Sequence, residues 1–107
     1  MALTKDFKET IQYRAQRDSA FRKALLQEAV ECLLSGDVDT AKSVLRDYIN
    51  ATVGFVALAE ATGISSKSLM RMFGPKGNPQ ANNLFCVISY LQKKERLHLT
   101  VRIQKAA

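Results

Sequence analysis

Residues 55–73 read FVALAEATGISSKSLMRMF. A glycine divides the stretch into two short amphipathic segments, and the spacing predicts two helices packed across a tight turn. Leu58 and Ala59 fall on the inward face of the first segment, and Ala59 is small enough to let a second helix approach closely. Gly63 stands where the first helix must end, because a residue without a Cβ takes the left-handed conformation at least cost. Ile64 plugs the corner. Ser65 caps the next helix, its hydroxyl accepting one of the orphan N–H groups. Leu69 and Met72 turn inward from the second helix. Ser65, Ser66, Lys67, Met70 and Arg71 are left facing outward, the arrangement a recognition helix needs to enter the major groove of double-stranded DNA.

A helix, a glycine turn and a second helix also occur in all-α proteins that never touch nucleic acid, so the motif needs support from its context. Charge supplies it. The chain carries a formal +6, from 16 Lys+Arg against 10 Asp+Glu. Residues 1–54 hold equal numbers of basic and acidic side chains and net zero. In residues 55–107 the only acids are Glu60 and Glu95, so the whole excess lies in the half that holds the motif. A localised basic surface is the electrostatic footprint of a polyanionic partner.

Size and composition narrow the classes further. A chain of 107 residues is expected to form one domain. At 47% apolar residues it can bury a core without disulfides or metal. Cys32 and Cys86 fall within apolar helix faces and read as small buried hydrophobes rather than a disulfide. Two Cys and one His far apart make no zinc site, and no cofactor is expected. No apolar run approaches the ~20 residues of a membrane span. The polar start MALTKDFKET is not a signal peptide, so the expected compartment is the cytoplasm. No nucleophile–base pair or carboxylate cluster points to an enzyme.

Outward from the motif, helices are expected over about 4–17, with Phe7, Ile11 and Ala15 on one face, and over 18–34, carrying Phe21, Leu25, Ala29, Cys32 and Leu33 at helical spacing. A third, capped by Asp37 and reaching about Asn50, shows an i, i+3, i+4, i+7 set of Val38, Ala41, Val44, Leu45, Tyr48 and Ile49. After the motif, GPKGNP (74–79) is a turn by composition. A further helix over 81–93 should bury Leu84, Phe85, Val87, Ile88 and Leu91. Asn82 or Asn83 would cap it and could present N–H groups to a phosphate. At 96–103 the period changes to two: Leu97, Leu99, Val101 and Ile103 alternate with polar residues, a β-strand pattern, with His98 outward. A lone strand in a helical domain needs a partner, and pairing across a two-fold axis makes a homodimer the expected assembly.

Three passages carry a resemblance. ALLQEAVECLLSGDVDTAKSVLRD, FVALAEATGISSKSLMRMF and GPKGNPQANNLFCVISYL follow in the order seen in the probable addiction-module antidote proteins, small regulators of the lambda-repressor-like helix-turn-helix class. The Gly77-Asn78-Pro79 turn after a helix-turn-helix is the most specific of the shared features. The similarity runs from about Phe21 to Val101. The chain differs from the family at Ala81, at Ser66-Lys67 and Met70 in the recognition helix, and at Tyr90-Leu91-Gln92. The resemblance implies a lambda-repressor-like helix-turn-helix domain; with the elements read above, the expected fold is all-α with two extra N-terminal helices and a short C-terminal strand. It also implies binding to an operator near the protein's own gene. For many members it implies neutralising a toxin protein encoded alongside.

Together these readings make the chain a sequence-specific DNA-binding repressor and a candidate antitoxin. Arg71 suits a bidentate contact to guanine, and Lys67, four residues earlier on the same face, a base or a phosphate. Ser66 offers a hydroxyl and Met70 a surface for a thymine methyl. Ser65 and Lys76 are placed to contact phosphate, which positions without specifying. Asn78 in the turn and Asn82 in the next helix complete the expected DNA-binding set. The rival expectation is a protein-interaction module that neutralises a partner and uses the helix-turn-helix only as a scaffold.

Overall fold

The computed structural model describes residues 5–106, with side chains from Glu9 onward. Thr4 as a helix start, and the place of Phe7 on the first helix face, lie outside what is described. Among the described residues the fold is all-α, built from six helices. These are α1 (Lys5–Arg17), α2 (Ser19–Leu34), α3 (Val38–Ala51), α4 (Phe55–Thr62), α5 (Ser66–Met72) and α6 (Ala81–Glu95).

Short polar residues set the starts of three helices. Asp18 accepts the Phe21 N–H at 3.1 Å, Asp37 the Thr40 N–H at 3.2 Å and Ser65 the Ser68 N–H at 3.1 Å. Each satisfies one donor that the first helical turn leaves without a partner. Gly63 ends α4 at φ 76°, in the left-handed region expected of it. The start of α6 differs from expectation. Gln80 occupies the cap position, its carbonyl accepting the Leu84 N–H at 2.9 Å, and no side chain caps the helix. Asn82 and Asn83 lie inside the first turn. A cap of about 1 kcal/mol is outweighed by the register that buries Leu84, Val87, Ile88 and Leu91.

α1 lies across α2 and α3, which pack on one another, and α4 contacts both α5 and α6. Leu26, Ala29, Leu45, Tyr48, Ile49, Phe55, Leu58, Leu69, Met72, Phe73, Leu84, Val87, Ile88 and Leu91 form the core cluster. Leu58 and Leu69, both with no exposed surface, each contribute on the order of 1.5–3 kcal/mol by leaving water. Ala59 and Ile64 pack on this cluster as the turn geometry requires.

Three side chains expected inside are outside. Phe85 is 61% exposed, Cys86 is exposed and Val38 is 40% exposed. The inward stripe of α6 is complete without the first two: positions 84, 87, 88 and 91 fill it, 85 is turned roughly a quarter-circle or more away and 86 points nearly opposite. Val38 is the first residue of α3, at the rim of the packed face.

The expected strand at 96–103 forms no ladder among the described residues. Arg96 instead ends α6 with φ 58°, a left-handed cap on a residue that has a Cβ. The period-two pattern survives as packing. Leu97 and Leu99 lie against the core while His98 and Thr100 face out, and the Leu99 N–H donates to Gln92 Oε1 at 2.8 Å. Beyond Thr100 the chain leaves the surface, and Ile103 is 95% exposed. A strand needs a second backbone to complete its hydrogen bonds, and none of the described elements supplies one.

Candidate nucleic-acid interface

The candidate interface centres on α5, whose two faces are sharply different. Leu69 and Met72 are buried, and the Ser65 hydroxyl, besides capping, donates to Ser68 Oγ at 2.9 Å. On the other side Lys67, Met70 and Arg71 are exposed, Met70 at 52%. Ser65 is exposed as well, whereas Ser66 is only half-exposed. Lys67 and Arg71, four residues apart, therefore share one solvent face, as expected from helical spacing. Among the described residues, neither they nor Lys76 takes part in an ion pair. Met70 presents its thioether to solvent beside Lys67 and Arg71.

The turn after α5 belongs to the same region. The Gly74 N–H donates to the Arg71 carbonyl at 3.1 Å and the Gly77 N–H to the Gly74 carbonyl at 3.0 Å. The turn thus folds back over the end of α5, and it exposes Lys76 and Asn78. Gly77 is required there. A Cβ would stand against the Arg71 carbonyl oxygen and 2.6 Å from that of Met72. Asn82 is exposed on the first turn of α6. No hydrogen bond ties it to α5.

Two basic residues of α3 join this region although they lie in the half of the chain with no net charge. Lys42 is only 5% exposed. Its ammonium donates to the carbonyl oxygens of Gly77 at 2.7 Å and Gly74 at 3.1 Å, with Asp39 Oδ1 at 3.4 Å. Arg46 Nη1 donates to the Phe73 carbonyl at 3.4 Å. The sequence held a signal for this. Lys42 interrupts the apolar stripe of α3, four residues after Val38 and three before Leu45, and a charge on an inward stripe needs buried acceptors.

A second polar cluster joins α2, α3 and α6. Glu95 accepts from Arg22 Nε at 2.7 Å and from the Tyr48 hydroxyl at 2.8 Å. The Arg22 guanidinium, followed by the Tyr48 hydroxyl, holds the Glu95 carboxyl below the usual carboxylate range against the opposing effect of burial. Burial and then the bond to Glu95 push the Tyr48 phenol up. With one acid, one base and one phenol satisfying each other, this cluster is a structural clasp.

Among the described residues no group of His, Cys, Asp and Glu could hold a metal ion, and no helix is long and apolar enough to cross a membrane. Compared with known proteins, the chain matches no family model, no curated protein and no solved structure.

Proposed function

We propose that the protein is a sequence-specific DNA-binding transcriptional regulator, a cytoplasmic repressor whose helix-turn-helix unit spans residues 55–73. The observation that carries this reading is the outward face of α5, where Lys67, Met70 and Arg71 are exposed and free of ion pairs while Leu69 and Met72 anchor the helix from behind. In the proposed complex α5 enters the major groove of a palindromic operator. Arg71 reads a guanine edge, Met70 meets a thymine methyl, and Lys67 and Ser66 add polar contacts. Ser65, Lys76, Asn78 and Asn82 line the backbone on either side and fix the register. The alternating tail supports a homodimer: Val101 and Ile103 stand exposed, able to pack against the same segment of a second copy. The resemblance to the antidote family adds a toxin partner to this proposal.

A second reading, a protein-interaction module that neutralises such a partner, draws on the other half of the chain. At the corner between α2 and α3, Leu34 is 68% exposed and Glu31, Asp37 and Asp39 are exposed around it in the sequence. That is a surface for a basic protein rather than for DNA.

Fluorescence-anisotropy titration separates the two readings. The protein is titrated against DNA from upstream of its own gene and against scrambled DNA, at two salt concentrations. A repressor binds the upstream DNA far more tightly and loses affinity steeply with salt, because each neutralised phosphate releases counterions. Equal binding to both DNAs, or binding that ignores salt, rejects it.

A further inference from the structure

The end of a DNA-reading helix must be held still, because side chains at its outer face can match base edges only if the axis does not swing. α5 has 7 residues, too few to hold itself: isolated helices below about 12 residues are marginal in water. Its N-terminus is fixed by Ser65 and its middle by Leu69. At its C-terminus the Leu69 and Arg71 carbonyls accept from the Phe73 and Gly74 N–H groups. The turn that follows, residues 74–77, is held by a cation from another helix. Lys42 threads its ammonium beneath the turn that folds over α5 and bonds the carbonyls of both Gly74 and Gly77. Asp39 Oδ1, 3.4 Å from the group, adds an ion pair. Arg46, one turn further along α3, donates to Phe73, the residue that caps α5.

We propose that Lys42, seconded by Arg46, is the positioning residue of the reading surface. From α3 it sets the direction of the last turn of α5, which carries Arg71, and the height of the loop that carries Lys76. The inference rests on α5 being the DNA-reading helix. Lys42 itself touches no nucleic acid, since it is buried. It acts through the backbone of residues 73–77. It also converts a charge that would count toward non-specific attraction into a brace, so its removal should damage discrimination more than attraction.

The test is Lys42→Met, which keeps the stem and removes the ammonium, measured in the full chain in two ways. Amide hydrogen exchange is followed by NMR in the free protein. Anisotropy is measured with a DNA site selected from a random-sequence library and with scrambled DNA. The expected result is exchange at the Gly74 and Gly77 amides faster by roughly tenfold or more, the size expected for losing charge-assisted hydrogen bonds. The amides of Ala29 and Ile49 should keep their wild-type rates. The ratio of selected-site to scrambled affinity should fall roughly tenfold, with the scrambled affinity itself nearly unchanged. If Lys42→Met does not fold, Arg46→Ala, at a half-exposed position, is expected to give the same local pattern more weakly. Exchange unchanged at Gly74 and Gly77, or faster everywhere alike, overturns the brace. Local loosening with an intact affinity ratio overturns its positioning role. A wild-type protein that selects no DNA site at all refutes the DNA reading on its own, before any variant is made, while the exchange data still judge the brace.

Discussion

Arg22 and Glu95 lie 73 positions apart in the chain, and their side chains meet at 2.7 Å between Nε and Oε1, a contact that ties the start of α2 to the end of α6. The Tyr48 hydroxyl joins from α3 at 2.8 Å. Three helices thus converge on one carboxylate. Both ion-pair side chains are mostly shielded from water, so the pair is screened less than a surface salt bridge.

Glu95→Gln should therefore destabilise the fold by about 1.5–3 kcal/mol, the range for a hydrogen bond to a charged group, as read by urea denaturation. The pH dependence follows from the direction of the shift. The folded carboxyl is held below its ordinary value, so its contribution is fully present above the unfolded pKa of about 4.3. It is lost as pH falls below that value through the folded pKa. Wild type should lose its advantage over Glu95→Gln in that acidic window and keep it unchanged from pH 6 to 8. An advantage that persisted at low pH would show that the carboxylate's charge contributes nothing.

Arg71→Ala should weaken binding to the preferred DNA site by about 1–3 kcal/mol and relax its sequence preference, as expected for loss of one bidentate base contact. The fold should be unaffected, because the side chain is exposed. Unchanged operator affinity would mean that α5 is not the reading helix.

Lys76→Ala has a different signature. A phosphate contact carries no sequence information, so binding to preferred and scrambled DNA should weaken alike. The slope of log affinity against log salt should fall by about one unit. A loss confined to one sequence would place Lys76 at a base edge.

Removing residues 101–107 tests the proposed dimer without disturbing the core, because Leu97 and Leu99, which pack on it, remain. Multi-angle light scattering should then show the monomer mass where the intact chain shows twice that. A truncated chain that stays dimeric would put the interface elsewhere.

The helices were legible because their apolar spacing and their caps agree. Asp18, Asp37 and Ser65 each stand just before an amphipathic run and each makes the expected bond. The outward face of α5 was legible for the same reason. Phe85 and Cys86 were not, because hydrophobicity alone does not say which of several apolar residues on one helix share the inward stripe. Lys42 breaks the apolar stripe of α3, which signals a buried partner, but that partner and the one of Arg46 are backbone carbonyls about thirty residues away, and a carbonyl leaves no mark in a sequence. The alternation at 96–103 predicts a strand, and none forms among the described residues. It resolves instead into two residues resting on the core and an open continuation, since the pairing backbone that makes a strand is not part of the pattern.

The shortness of α5 has a thermodynamic consequence. A two-turn helix has no stability of its own, so the proposed reading face exists only while the surrounding core is intact. Recognition and folding are then one equilibrium seen from two sides. Heating should abolish sequence discrimination over the same temperature range in which the core melts. By mass action, the preferred DNA should in turn raise the melting temperature of the whole chain.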